Sequence, residues 1–371
     1  MKRKPKTGET TEYESLSQTQ LIVRRFRRHK LAMFGLTVLI IFYTVAILAE
    51  FVAPMEPRER TGHQHAPPQR VRFVDLEGEF SFRPFVYGYQ SVLDTDTFQR
   101  VYEPNPEQKW DIRFFTRRHE YRLLGLIPTD IHLFAVVEPE AYLVLLGTDD
   151  LGRDLFSRII YASRISLSIG LIGVFLSLVF GLALGSLSGL TGGLIDDLIQ
   201  RFIELIMSIP TLPLWMALSA AIPTWWGQTE RYVAITIILS FMGWTGVARV
   251  VRGKFISLRE EEFVLAAYAS GVTKPRVVVR HLIPAFMSYV IVHLTLAIPG
   301  MILGETALSF LGLGLRRPAI SWGVLLQQSQ SISAVVNYPW LLTPGLVVVV
   351  AVLCFNFVGD GLRDAADPYS K

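Results

Sequence analysis

Ser166–Leu190 reads SLSIGLIGVFLSLVFGLALGSLSGL, a run without a single charged side chain. A helix needs about 20 apolar residues to cross a bilayer, and this run is long enough. Gly181-x-x-x-Gly185-x-x-x-Gly189 puts small residues on one stripe, as close helix packing in lipid requires. The stretch therefore reads as one span of a polytopic membrane protein. The bulk composition agrees. The chain is 51% hydrophobic and 18% charged, where soluble domains carry about 25% charged residues.

Working outward, Leu31–Ala53 is a first span, ended by Pro54 and Pro57. Asp197–Ile222 is a third span, Tyr232–Val251 a fourth, Leu282–Leu303 a fifth and Trp340–Phe357 a sixth. Arg24, Arg25, Arg27, Arg28 and Lys30 precede the first span, and Arg249, Arg252 and Lys254 follow the fourth. Basic clusters abutting spans mark the cytoplasmic side, so they read as anchors rather than as an arm for nucleic acid. Six spans then leave both termini in the cytoplasm. The polar residues 1–20 read as a disordered tail, and no cleavable signal is expected. The fold expected is an all-α polytopic membrane protein of six helices. Its parts are a tail and anchor at 1–30, the first helix at 31–53, an extracytoplasmic insert at 54–145 and a transmembrane core at 146–371, with a cytoplasmic loop at 255–284. The single cysteine, Cys354, rules out a disulfide framework or a thiolate metal site within one chain.

Prolines mark the candidate pathway. Pro210 and Pro213 break the third span, and broken backbone at membrane depth is tolerated where it is buried or lines a wet cavity. A pathway wall and a packed kink are both open. Pro299, with Gly300, interrupts the fifth span. Glu305 near its outer end is either functional, as ionisable groups at spans tend to be, or solvated at the interface. Leu308–Leu315 is too short to cross and reads as a re-entrant or interfacial piece, with Trp322 and Trp340 at the interface level.

The insert is charged, Pro-containing and aromatic, and reads as a small mixed domain. Strand-like alternation occurs at Arg70–Val74, Phe80–Tyr87, Tyr121–Leu124 and Leu133–Val137. His63-x-His65 lacks the further ligands of a metal site and reads as solvated loop. Arg alternating with Phe and Tyr suits a surface for an extracytoplasmic protein or substrate. Leu146-Gly-Thr-Asp-Asp-Leu-Gly-Arg-Asp154 does not match an EF-hand and reads as a turn leading into a helix.

Glu260–Pro284 reads EEEFVLAAYASGVTKPRVVVRHLIP. It is too charged to span lipid, and its pattern predicts two short helices. Phe263, Val264, Ala266, Ala267 and Ala269 give the first an apolar small-residue surface. Gly271 suits the position just past a helix, where φ is positive. Thr273 is placed to cap the second helix, with Pro275 in its first turn. Spacing alone fits a docking element and a solvated connector equally. The chain lacks G-x-x-x-x-G-K-[ST], H-E-x-x-H and G-x-S-x-G, so no nucleotide, protease or lipase chemistry has an anchor in it.

Ala266-Ala267-x-x-x-Gly271, followed by His281-Leu-Ile-Pro284, resembles the cytoplasmic EAA loop of permease subunits of binding-protein-dependent ABC importers. Leu146–Asp154, Leu308-Ser-Phe-Leu-Gly-Leu-Gly314 and Gly359-Asp-Gly-Leu-Arg-Asp-Ala-Ala-Asp-Pro368 are similar to signatures of the dipeptide, oligopeptide and nickel branch, and among these to the C-type subunit. The resemblance covers residues 20–50 and 146–371. It implies a type I importer fold and a coupling role for Glu262, Leu265, Ala266, Ala267, Gly271, Arg280, His281 and Pro284. It also implies a homologous second permease, two ATPase subunits that bind ATP and Mg, a solute-binding protein and an inner-membrane location. Leu265 stands where the loop's Glu is usual and His281 where an aliphatic residue is common, so shape outweighs charge there. The long outer insert is a third departure. The cargo is expected to be peptides, although nickel chelates, opines and oligosaccharides are carried by the same branch. Rival readings are an autonomous secondary transporter or channel, and a membrane-anchored protein that acts through its insert.

Overall fold

The computed structural model describes residues 18–93, 95, 100–138 and 140–366. Residues 1–17 of the expected tail, and Asp367 and Pro368 of the terminal motif, lie outside it. The order is α1 Gln18–Arg28, α2 Lys30–Ile47, α3 Ala49–Val52, then β1 Arg72–Val74, β2 Phe80–Leu93, β3 Arg100–Asp111, β4 Arg113–Leu123 and β5 Ile127–Ala135. The core follows with α4 Leu155–Thr191, α5 Gly193–Met207, α6 Thr211–Ala220, α7 Gln228–Leu258, α8 Glu262–Ala269, α9 Lys274–Val277 and α10 Met287–Phe310. It closes with α11 Trp322–Leu326, α12 Ile332–Asn337 and α13 Thr343–Ala366. Among the described residues, five helices are long and apolar enough to cross a membrane: α2, α4, α7, α10 and the one ending in α13. The bent pair α5 and α6, at 87°, is a sixth candidate. This is the helical membrane fold expected.

The glycine stripe of α4 faces α7. A Cβ at Gly181 would lie 2.5 Å from Val247 Cβ, and one at Gly185 2.5 Å from Ala248 O. Only a missing side chain lets the two backbones come so near. At the start of the first span His29 caps α2, accepting from Ala32 N at 3.1 Å, and faces Asp364 of α13 at 3.7 Å. The described part of the terminal motif, 359–366, is helical, since α13 runs on through Ala366.

Three expectations in the core are corrected. Pro299 does not interrupt the fifth span, since α10 passes through it. Leu308–Leu315 is not a separate piece, because Leu308–Phe310 form the last turn of α10, and Leu308 and Leu315 are fully buried. Trp322 is not at the interface either. It is fully buried, and its indole donates to Ile159 O at 3.3 Å.

The insert is built of strands alone among the described residues, in two antiparallel sheets ordered β1-β2-β3 and β4-β5. The expected mixed character is thus corrected. β3 escaped the sequence reading because Pro104 and Pro106 interrupt its alternation. It is an edge strand, where proline costs no ladder bond, and a bulge shifts its register opposite Tyr87 and Gly88. Val86, Trp110, Ile112 and Val136 form the insert's own core with Met55 and Ala141–Val144.

His119 and His132 sit side by side in the second sheet, ring centroids 4.3 Å apart. His132 is fully buried, with its ring nitrogens 3.1 Å from Ala53 O and 3.2 Å from His119 O. Burial lowers the pKa of His132 despite those carbonyls. Burial, then His132 and Arg118, lower that of His119 to about 4. The fold thus holds both rings neutral, while the unfolded chain takes up protons near pH 6.5. Their contribution is complete above about 6.5 and is lost as pH falls from there toward 4. Thermal melting of the insert, followed by hydrogen exchange in β4 and β5, is expected to show a lower midpoint at pH 5 than at pH 7.5. A higher midpoint at pH 5 would reverse the assignment.

Candidate functional site

The segment after α7 is an elbow of two helices. α8 ends in a Schellman turn: Gly271 N donates to Tyr268 O at 2.9 Å and Val272 N to Ala267 O at 3.1 Å. Gly271 has φ +77°, and no atom stands within 4 Å of where its Cβ would be. Glycine is thus required by backbone conformation, not by crowding. Thr273 occupies the cap position of α9, but its side chain makes no capping bond. Its carbonyl does the work, accepting from Arg276 N and Val277 N at 3.0 Å each. This corrects the expected side-chain cap. After α9 the backbone passes through a π-helical turn, Val278–Leu282, and one further turn, Ile283–Ala285, into α10.

The elbow is seated by a small apolar core. Val264, Val277, Leu282 and Phe286 meet Val247, Val251 and Phe255 of α7 and Val290 of α10. Phe255 and Phe286 meet edge to face at 5.8 Å. The expected single apolar face of α8 is therefore split. Val264 is fully buried, whereas Phe263 and Leu265 are 43% and 53% exposed. Ala267 is half-buried, and Glu262, Ala266 and Ala269 are exposed. Beyond them Gly271, Arg280 and Pro284 are exposed and His281 is half-buried. The outer surface is shallow, with a small-residue centre at Ala266 and Ala269 and no side chain above Gly271. It can admit a convex or grooved partner but performs no bond-making chemistry.

Behind the elbow lies a lock that sequence reading missed. Asp196 of α5 takes a bidentate bond from Arg252 of α7, both contacts 2.6 Å. Ser188 of α4 also donates to Asp196. Arg252 had served only as a marker of sidedness. The partners sit 56 positions apart, so spacing carried no signal. This pair fixes α5 to the end of α7 that leads into the elbow.

The four pathway candidates stand on two elements, Pro210 and Pro213 at the start of α6 and Pro299 and Glu305 within α10. Pro210 caps α6 at the bend, and Pro213 lies inside the first turn of α6 rather than at the break. Both are exposed. Pro299 is within α10. Glu305 is fully buried, not solvated. It accepts from Ser309 and Ser321 at 2.7 Å each and from Ser166 at 3.3 Å. Ser166 in turn accepts from Trp322 N at 3.1 Å. Glu305 thereby ties α4, α10 and α11 into one knot.

The Leu146–Asp154 segment is a structural turn, as expected. Asp149 is fully buried and accepts from Leu151 N and Arg153 N at 2.9 Å each and from Arg153 Nε at 2.8 Å. Arg158, 1% exposed, also donates to it. Burial alone would raise the Asp149 pKa, but Arg158 and Arg153 outweigh it and hold the carboxyl below its ordinary range. Asp154 caps α4 through Phe156 N and Ser157 N at 3.2 and 2.7 Å. His63 and His65 are not simply solvated: His65 stacks on Tyr338 at 4.1 Å, and His63 meets Tyr142 at 5.0 Å.

Membrane-crossing helices joined by a packed elbow between α7 and α10 define a helical, multi-span membrane protein. Residues 181–370 match the family described as binding-protein-dependent transport system inner membrane component, and the chain belongs to that family. Residues 17–68 match the N-terminal TM domain of oligopeptide transport permease C. The oligopeptide transport system permease protein OppC of Haemophilus influenzae is 42% identical over 226 residues, 61% of this chain and 70% of that one. OppC of Bacillus subtilis is 35% identical over 252 residues, 68% of this chain and 78% of that one. The dipeptide transport system permease protein DppC of Bacillus subtilis is 29% identical over 367 residues, covering 98% of this chain and 90% of that one. A solved inward-facing structure of the MetNI methionine ABC transporter aligns with a TM-score of 0.44 at 19% identity, over 57% of this chain and 97% of that one.

Proposed function

We propose that this chain is one of two permease subunits of an ATP-driven importer for di- and oligopeptides. The translocation path lies between it and a homologous permease, and an extracytoplasmic binding protein delivers the peptide. Two ATPase subunits bind ATP and Mg and grip the α8–α9 elbow, so the chain itself catalyses nothing. Both termini and the elbow face the cytoplasm, and β1–β5 face outward. The observation that carries this reading is the elbow. Its inner side is fastened to α7 and α10 by an apolar core, while its outer side is shallow and free. A force on the outer side is thus passed to two spans. The names of the similar permeases support peptides as cargo.

Tagged chain extracted with its neighbours is expected to bring down a second permease and two ATPases. Proteoliposomes of that complex should take up labelled peptide only with ATP and binding protein. Uptake by the chain alone, driven by an ion gradient, would establish the secondary-transporter reading instead.

A further inference from the structure

A groove of about 580 Å³ opens in the insert, between the segment at 67–72 and the β2–β3 pair. Its volume lies within the about 300–1,000 Å³ of binding clefts. Tyr89 pairs with Pro104, and Ser91 with Tyr102, so Tyr89, Tyr102 and Pro104 share one face of the ladder. The tyrosine rings are pinned by their own hydroxyls. Tyr89 donates to Pro67 O at 3.0 Å and Tyr102 to Gln64 O at 2.7 Å, and Tyr87 accepts from Leu76 N at 3.3 Å. The wall is thus rigid and aromatic before anything binds.

Charge decides what fits it. Arg70 and Arg72 line the groove, and no lining residue is acidic. Arg70 is exposed, and the Arg72 guanidinium lies over the Tyr87 ring at 5.8 Å. Among the described residues neither arginine has a carboxylate partner. Asp75 is spent elsewhere, on Lys109 Nζ at 3.1 Å and on Glu77 N and Glu79 N. Glu103 pairs with Gln90 and so falls on the other face of the ladder. The complement of two free guanidinium forks is a carboxylate pair. A bare anion would leave the tyrosine and proline faces unused, whereas an extended polypeptide covers them, as in other aromatic-lined grooves.

The groove is also built on the core rather than hung from it. Its segment is fastened to the turn before α4: Thr148 N donates to Ala66 O at 2.9 Å and Ala66 N to Thr148 Oγ1 at 2.7 Å. Gln69, buried in the floor, donates to Tyr87 O at 3.0 Å and accepts from Val144 N at 2.8 Å.

We infer that this groove docks an acidic segment of the extracytoplasmic binding protein, its Asp or Glu carboxylates on Arg70 and Arg72 and its chain across the tyrosines. The inference rests on the importer reading proposed above. Every lining residue belongs to the insert and none to a span, so a cargo peptide held there would stand off the path. A segment of the binding protein belongs there, because it must be gripped outside the path while the cargo leaves it.

The test uses the whole complex in phospholipid nanodiscs and the importer's own binding protein, fluorescently labelled. Arg70→Glu with Arg72→Glu is expected to raise its Kd about 10-fold or more, with a weaker salt dependence. Arg113→Glu with Arg122→Glu, both exposed on the second sheet, makes the same change in net charge and should leave the Kd unchanged. Equal losses in the two pairs would overturn the proposal by reducing it to diffuse charge, and so would no loss in either. Peptide uptake by the first pair should recover at raised binding-protein concentration; uptake that stayed lost would overturn the docking role. A benzophenone on Pro104→Cys, with Cys354→Ser as background, identifies the occupant. Crosslinks to an Asp- or Glu-rich stretch of the binding protein are expected, and crosslinks confined to phospholipid or to labelled peptide cargo would overturn the assignment. If the unsubstituted complex binds no binding protein at all, the importer reading itself fails, a result distinct from a groove that fails within a complex that binds.

Discussion

Ala266→Arg is expected to cut ATP-driven peptide uptake about 10-fold or more, equivalent to about 1.4 kcal/mol of docking free energy. The residue is exposed on the outer side of α8, so the fold itself should change by only about 0.5 kcal/mol. A long cation there occupies the shallow centre of the surface that we assign to the ATPase. Gly271→Val separates docking from geometry. It meets no neighbouring atom, yet it forces a β-branched side chain to φ +77°, at a cost above the about 1–2 kcal/mol of an ordinary residue. That variant should loosen the elbow and lose coupling without adding a clash. The measurement is uptake and binding-protein-stimulated ATPase activity in the same proteoliposomes. Unchanged coupling in Ala266→Arg would remove α8 from the ATPase interface.

The second large effect concerns stability. Asp149→Ala leaves Arg158 buried, at 1% exposure, without its carboxylate. Losing one partner of a buried pair typically costs about 3–5 kcal/mol, far more than the pair itself contributes. The double replacement Asp149→Leu, Arg158→Met removes both charges and should recover much of that loss. Thermal melting in detergent compares the two. Equal losses in the single and double variants would mean that the backbone bonds of Asp149, and not the stranded charge, dominate. The same turn also holds Trp340, whose indole donates to Thr148 O at 3.1 Å. Melting of the single variant should therefore be cooperative across the N-terminal ends of α4 and α13.

The sequence made some of this legible because the relevant forces are local. A run such as Ser166–Leu190 must be a helix in lipid, since only that satisfies its backbone. Gly271 announced a helix end because only glycine takes that φ cheaply. The bend at Pro210 could be read for the same kind of reason. Glu305 could be found as an ionisable residue at a span, but its surroundings could not. Its serines come from positions 166, 309 and 321, and nothing local says that they converge. Trp322 was misplaced because an aromatic at a span end looks alike whether it faces lipid headgroups or a neighbouring helix. Asp196 and Arg252 were missed as a pair because each alone looks like an interfacial charge.

By itself, then, the sequence determined the class, the spans, the elbow and the family resemblance, all of which rest on periodicity, length and local backbone demands. The tertiary structure alone decided which face of α8 is inward, that Glu305 is tied down rather than solvated, and that β3 pairs as an edge strand despite its prolines. It also decided that His132 reaches Ala53 O across 79 positions of sequence. These outcomes depend on contacts between distant segments, whose pairing is set by the packing of the whole chain and leaves no periodic trace along it.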